Sequence, residues 1–545
     1  MRAKIERFYC GVVSSKKFWI PLLFIAIISY GFSIMNRTIG IDDLSRKTYF
    51  MPSEFCEYFT RWGKVVYIRM FSTMNLSPFI DRFMALVFLI LAGIALSFLF
   101  YILLGEDAYV WKYTVFSCVF VSYPLINELW EYSDGNMTVG INYLLIALTL
   151  IFQSQIREWN IRNVIVAAIP LTFVMASFES GAFAYVTLVI LWLVIRIARN
   201  RQIQSISWFK DGIFCAISLV LALLFRTIIG TILVNIYKVP YTVGGATELA
   251  WGKESFSVIL ENWFKNIKMY GAQMLVYFPI AIFVIAVLGF ICLDICTGRT
   301  LQRQKGVFYF LSIISIISLF FQSIIQGYYM PYRTAAGIQI FVAFVPLWYL
   351  DYIKECVDNC QERAKRRRYE ICRSVGVIIF LFLAFRQSVY LNSLLALNNQ
   401  RSDNEAAIVH EIGYRLYSEY DSNKPVVFTG SIDLGEFINS QITDSEQPLW
   451  PIKKALKPII GLSTTPKKFV MTNVRSGVDW SARAFNSQIM LKKYFSYYGY
   501  DINVIEEATP QKRGEYYQLA IEEQMKPLEI RDMGDYVLVF LGENK

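Results

Sequence analysis

The residues best able to do chemistry lie between Asn36 and Arg69, in NRTIGIDDLSRKTYFMPSEFCEYFTRWGKVVYIR. Two adjacent carboxylates, Asp42 and Asp43, stand at its centre. Ionised carboxylates beside a membrane repel each other and lose hydration, which makes one of them the stronger base. Such a group suits the removal of a proton from a sugar hydroxyl. It could equally orient a cation, or simply cap the turn that begins at Leu44. The same stretch carries Arg37, Arg46, Lys47, Arg61, Lys64 and Arg69. These cations could hold a phosphate or pyrophosphate head group, or only snorkel at the interface. Further on, Glu128, Glu131 and Asp134 cluster in ELWEYSDGN. They could bind an acceptor sugar, with Trp130 as a stacking surface, or form a solvated loop. Glu179 interrupts the apolar SFESGAF, and a carboxylate within a membrane usually has a partner or a task. Arg333, in YYMPYRTAAG, could pair with Glu179 or with a lipid phosphate.

The elements that must position these groups are membrane helices. Of 545 residues, 55% are hydrophobic and 18% charged, against about 25% charged in a soluble protein. Apolar runs of roughly 18 residues, enough to cross a hydrocarbon core, recur through the first 390 positions. We expect eleven spans, near 18–35, 83–104, 110–127, 137–153, 164–178, 181–195, 212–236, 272–296, 307–326, 335–350 and 374–391. The fifth and sixth form a tight hairpin with Glu179 at its tip. The first run continues into ISYGFSIM without a cleavage pattern, so it reads as a retained helix. Basic residues mark alternate connections, from Arg2, Lys4 and Arg7 to KRRR at 365–368. By the positive-inside rule the tail 1–17 is cytoplasmic, the loop 36–82 is outside, and the C-terminus is outside. That loop has room for one or two short helices lying on the membrane.

From about Asn398 the composition changes. NEAAIVHEIGYRLYSEY has helical spacing, whereas KPVVFTGS, KKFVMTNV and DYVLVFLG read as strands. Residues 398–545 are therefore expected to form a small extracytoplasmic α/β domain below the membrane domain 18–392.

Several chemistries fall away. The net charge of +10 is not a nucleic-acid footprint: from Asn392 onward 17 Lys+Arg face 20 Asp+Glu, so the excess belongs to the membrane part. His410 is the sole histidine, which removes multi-histidine zinc sites and makes a histidine-based catalytic centre improbable. None of the nine cysteines lies after Cys372. Cys292/Cys296 and Cys356/Cys360 have metal-compatible spacing but read better as small apolar residues in a reducing compartment. The Asn-x-Ser/Thr triplets at Asn36, Asn75 and Asn136 are short patterns close to the membrane and carry no weight.

One outward helix followed at once by Asp42-Asp43-Leu44-Ser45-Arg46, with Arg61-Trp62 further along, resembles the Gtr-type bacterial glucosyltransferases (the glucosyl transferase II family). More broadly it resembles the C superfamily of integral-membrane glycosyltransferases (GT-C). The likeness covers about 15–392 and is most specific in the first loop. It implies a GT-C-like membrane domain in a bacterial inner membrane. It also implies a polyprenyl-phosphate hexose as donor and a cell-surface glycan such as O-antigen as acceptor. On that resemblance Asp42 or Asp43 is the base, and Arg333, Arg46 and Arg61 bind the donor phosphate. Trp62, Glu131, Asp134 and Glu179 contact substrate. No metal or other cofactor is required, although Asp42/Asp43 could carry a divalent cation.

Two other readings compete. A flippase or transporter of lipid-linked sugars would favour paired broken helices and internal symmetry, whereas here the polar load is one-sided. A polysaccharide polymerase or ligase would place key arginines in a large later loop, and 237–270 has lysines but no arginine.

Overall fold

The computed structural model describes residues 1–36, 38, 61–71, 77–124, 127–130, 136–156, 158–199, 207–238, 249–277, 305–330, 334–420, 423–430, 488–505 and 510–542. They fall into two compact units, one formed by Met1–Met35 and the described residues from Arg61 to Ser393, the other by Asn36, Thr38 and the described residues from Leu394 on.

The first unit is all helix. Its elements are α1 (Arg2–Phe8), α2 (Lys16–Met35), α3 (Trp62–Phe71), α4 (Pro78–Leu103), α5 (Val110–Val121), α6 (Asn136–Ser154), α7 (Ile161–Ser177), α8 (Ser180–Arg199) and α9 (Ser207–Tyr237). Then follow α10 (Phe256–Tyr277), α11 (Lys305–Ile317), α12 (Phe321–Gln326), α13 (Gly337–Asn359) and α14 (Arg363–Glu419), of which the residues up to Ser393 belong to this unit and those from Leu394 to the second. Among the described residues, seven helices are long and apolar enough to cross a membrane: Lys16–Met35, Phe79–Leu103, Asn136–Ser154, Ser180–Arg199, Trp208–Tyr237, Gly306–Gln326 and Arg363–Glu419. The chain is thus a helical membrane protein, with seven such helices against the eleven expected. The physical reason is clearest at α5. It has only 12 residues, and every residue from Lys112 to Val121 is buried. A helix apolar on all sides is a core helix as readily as a span. The expected span at 272–296 falls mostly outside the described residues.

The N-terminal tail is not a plain basic tail. It forms α1 and a π-helical turn (Tyr9–Val13), burying Phe8 and Val12. Lys4 and Arg7 pair with Glu106 at 3.1 and 2.5 Å. Helix α4 starts five residues before the expected boundary, because Pro78 presets the helical φ and needs no backbone donor in the first turn.

Helices α4 and α6 bring their backbones close together. A Cβ on Gly140 would stand 2.7 Å from the Leu89 nitrogen and 2.8 Å from the Phe88 carbonyl carbon. One end of the bundle is locked by charge. The fully buried Lys112 ammonium lies 2.6 Å from Asp107 and 2.7 Å from Asp351. Asp351 also takes Arg199, from the last turn of α8, and Arg199 reaches Glu355 at 3.0 Å. Lys354 closes the ring on Asp107 at 3.2 Å. Burial alone would raise the Asp107 carboxyl, yet Lys112 and Lys354 beside it hold it below the ordinary aspartate range.

The second unit is a small α/β layer structure. Strands β1 (Val426–Thr429), β2 (Glu529–Asp532) and β3 (Val537–Phe540) pair in the order β1-β3-β2, with β1/β3 parallel and β2/β3 antiparallel. Alternate side chains face opposite sides of a sheet. Val426, Phe428, Val537 and Val539 pack with Val409, Ile412 and Leu416 of α14 and with α15 (Gln488–Tyr497). Val427, Leu538 and Phe540 pack with Ala520 of α16 (Pro510–Glu522) and with Met525. Burial on both faces explains the unbroken apolar runs VVFT and VLVF. The stretches KPVVFTGS and DYVLVFLG are strands as expected, and the helix at 404–420 continues α14. The expected strand KKFVMTNV lies outside the described residues, while β2 was not anticipated. Its sequence, EIRD, offers only one buried apolar side chain.

Two outcomes follow. Gly140→Ala gains about 1 kcal/mol of helix propensity but drives a methyl into backbone, so a net loss of about 1–3 kcal/mol is expected in denaturation of the detergent-solubilised protein. The Asp107 contribution is complete above the ordinary aspartate range and disappears as pH falls through the lowered value. Melting temperature should therefore drop on acidification, and Asp107→Asn should flatten that part of the profile; an unchanged profile would remove the lock from the account.

Candidate active site

The apolar hairpin α7/α8 turns over two residues. Phe178 leaves α7 in extended conformation (φ −155°, ψ 113°), Glu179 forms the tip, and α8 starts at Ser180. The turn is this tight because Gly181 has no Cβ; one there would strike the Val174 side chain. A hydrogen bond from Ser177 Oγ to Asn142 Oδ1 (2.7 Å) ties the hairpin to α6.

Glu179 holds two arginines. Its Oε2 accepts from Arg61 Nη2 at 3.0 Å, and its Oε1 accepts from Arg226 Nη2 at 2.9 Å. The side chains are 16%, 20% and 9% exposed for Glu179, Arg61 and Arg226. Such pairing is what a carboxylate near a low-dielectric boundary requires. The Arg61 guanidinium also lies 5.4 Å from the centre of the Phe178 ring, within cation–π range. The triad gathers two guanidiniums at one point, and guanidinium donors suit an anionic oxygen group.

Helix α3 brings Arg61 to this point. Trp62 is buried, packs edge-on against Phe173 at 5.3 Å, and donates its Nε1 hydrogen to the Arg226 carbonyl at 3.4 Å. Gly63 permits the close approach, since a Cβ there would sit 3.0 Å from Phe173 O and from Ala176. The Trp62 ring is thus spent on docking α3 to α7 and α9. Trp130 is likewise buried, not a free stacking surface. Its ring lies 4.2 Å from that of Tyr30, and its Nε1 donates to Ser33 Oγ at 2.9 Å. Arg82 donates to the Ser33 carbonyl, and both Asp81 and Arg82 are buried in the first turns of α4.

Of the expected site residues, the structure brings together Arg61, Trp62 and Glu179. Asp42, Asp43, Arg46, Glu131, Asp134 and Arg333 lie outside the described residues. The partners observed for Glu179 are Arg61 and Arg226. Arg226 was missed, although a lone arginine in the run 212–236 is a detectable signal. Asp81 and Arg82 were missed because they were read as loop. Asn136 is buried at the start of α6, where its Oδ1 accepts from the Met137 amide at 2.7 Å. Among the described residues, no group of three or more His, Cys, Asp or Glu is placed to hold a metal ion.

A membrane-type helical bundle with a half-buried ionic triad at one end is a setting for chemistry on polar substrates at a lipid boundary. The family model described as glucosyl transferase GtrII matches residues 31–350, more than half of the chain, and the chain belongs to that family. The match takes in every candidate residue from Asp42 to Arg333 and stops before α14 and the α/β unit. No curated protein and no solved structure matches the chain.

The triad makes a stability prediction. Glu179→Ala removes a carboxylate that Arg61 and Arg226 share, and a loss of about 1.5–3 kcal/mol is expected. Adding Arg226→Met should recover part of it, with a coupling of about 1 kcal/mol or more in a double-mutant cycle. Strictly additive losses would mean that the pairing contributes nothing.

Proposed function

We propose that this protein moves a glucosyl unit from a polyprenyl-phosphate donor to a cell-surface glycan such as O-antigen, at the outer face of a bacterial inner membrane. The observation that carries the reading is the Arg61–Glu179–Arg226 triad in a chain of the glucosyl transferase GtrII family. In this reading the N-terminus is cytoplasmic, and the Glu179 end of the bundle and the α/β unit face outward, in keeping with the basic residues at the opposite connections.

The donor's phosphate rests at the interface, where Arg61, with Arg46 and Arg333, meets its charge. Glu179 acts as the holder of Arg61 and Arg226, keeping both guanidiniums in place before substrate arrives. Asp42 or Asp43 takes the proton from an acceptor hydroxyl, which Glu131 and Asp134 help to seat. The acceptor oxygen attacks the anomeric carbon from the face opposite the phosphate. The bond from that carbon to the phosphate oxygen breaks, and its electron pair leaves with the polyprenyl phosphate. Positive charge builds on the sugar as in other glycosyl transfers. One displacement inverts the anomeric centre. Arginine meets the leaving group's charge, so the scheme runs without a metal or another cofactor.

The test is a transfer assay in membranes, with polyprenyl-phosphate glucose supplied and the glycan followed by mass spectrometry. Wild type should add one hexose mass, and Asp42→Asn/Asp43→Asn at matched expression should lower the rate by about 10²-fold or more, as loss of a general base does. A glycan that keeps its unit mass but changes in amount or chain length, whatever residues stand at 42 and 43, would replace this reading with a flippase or polymerase.

A further inference from the structure

Beside the Glu179 turn lies a recess that the ionic triad does not use. Its volume is about 20 Å³, room for a single hydroxyl-sized group. It lies where α6, the start of α8 and the start of α13 converge. Leu129, Val139 and Phe178 are among its apolar lining; Asn142, Ser180 and Gln339 also line it, with Tyr143, whose hydroxyl donates to the Ala336 carbonyl at 2.8 Å. Two close contacts fix its shape. Gly181 abuts Val174, and Gly337, two residues before Gln339, abuts the Thr187 side chain.

The polar groups are buried, and two of them have spare bonding capacity. Gln339 is fully buried and Ser180 is 2% exposed. Among the described residues neither Gln339 Oε1 nor Ser180 Oγ has a hydrogen-bond partner. The amide orientation of Gln339 is fixed by chemistry, because its Nε2 donates to the Phe120 carbonyl at 2.7 Å, where an oxygen would be repelled. The spare atom is therefore an acceptor. A buried acceptor without a partner costs about 1–3 kcal/mol, so the recess suits a group that donates. A hydroxyl does so, and can accept from Ser180 in return. A phosphate or carboxylate cannot donate to Gln339 and belongs instead with the arginines. Phe178 and Ser180, both in its lining, flank Glu179 directly in sequence, so the recess and the triad share the α7/α8 turn.

We propose that this recess receives the hydroxymethyl arm of the hexose being transferred, with its hydroxyl donating to Gln339 Oε1 and accepting from Ser180 Oγ. The inference rests on the reading that a polyprenyl-phosphate hexose binds at this end of the bundle. It makes Gln339 and Ser180 specificity-determining residues, separate from the base and from the phosphate-binding arginines. The methylene stays at the mouth of the recess, and only the hydroxyl enters, between apolar walls, toward Gln339 and Ser180.

The experiment compares polyprenyl-phosphate glucose with polyprenyl-phosphate 6-deoxyglucose, using the full-length enzyme in membranes. Wild type, Ser180→Ala and Gln339→Met are assayed for kcat/KM on each donor. A site that hydrogen-bonds a substrate hydroxyl discriminates strongly against the analogue without it. Wild type should therefore prefer glucose by about 10²-fold or more. Gln339→Met should lower transfer of glucose by at least about tenfold and leave the deoxy donor within about twofold, collapsing the preference; Ser180→Ala should act the same way to a smaller degree. Equal use of both donors by wild type would overturn the proposal, and so would a parallel loss on both donors in the variants, which is what a merely packed or water-filled recess predicts. Wild type that transfers neither donor would overturn the underlying donor reading and this proposal with it, an outcome distinct from the other two.

Discussion

A carboxylate at the edge of a hydrocarbon layer must either be matched by positive charge or give up its own. Glu179 is matched twice, and the local structure depends on that. Arg61 lies next to Trp62, the first residue of α3, and Arg226 lies midway along α9, so one side chain fixes a hairpin turn, a short helix and a long one. Trp62 adds a bond to the backbone of Arg226, and Gly63 lets α3 lie flat on α7. Removing the carboxylate would take away an interaction that both guanidiniums share. That is why the interaction is better understood as a holder of arginines than as an isolated acid.

The opposite end of α8 obeys the same electrostatic rule with the signs distributed differently. There the buried ammonium of Lys112 is surrounded by Asp107 and Asp351, and Arg199 and Lys354 complete the ring. Between the two ends the bundle relies on small residues that bring backbones together, as Gly140 does against α4. Packing of this kind replaces the hydrophobic driving force that lipid cannot supply.

Much of this was legible in the sequence. An apolar hairpin with one acidic residue at its tip can be read from SFESGAF, because a charge there demands a partner. Arg61 was recognised as a cation of interest, but pairing it with Glu179 needed the fold, since 118 residues separate them. Arg226 was overlooked because the run around it reads as an ordinary span. Asp81 and Arg82 were hidden by a helix boundary misplaced by five residues. Seven of the described helices have the length and hydropathy of a span; hydropathy alone does not distinguish a helix surrounded by lipid from one surrounded by protein, as the buried α5 illustrates. In the second unit the buried strands announced themselves through apolar β-branched runs, whereas β2, at the edge of the described sheet, did not. Asp42 and Asp43 were legible only as chemistry, an adjacent acidic pair beside a span.

Helix α8 is tied at three points along its length: by Glu179 just before its first turn, by the Thr187–Gly337 contact near its middle, and by Arg199 in its last turn. A rod fastened in this way has few soft modes left to lose. A ligand that settled against its first turn would meet a surface that is already ordered, and would escape the ordering entropy that closure of a mobile lid incurs. Discrimination at that surface is then a matter of fit and hydrogen bonding alone. Any large motion of the bundle then falls to elements outside this rod.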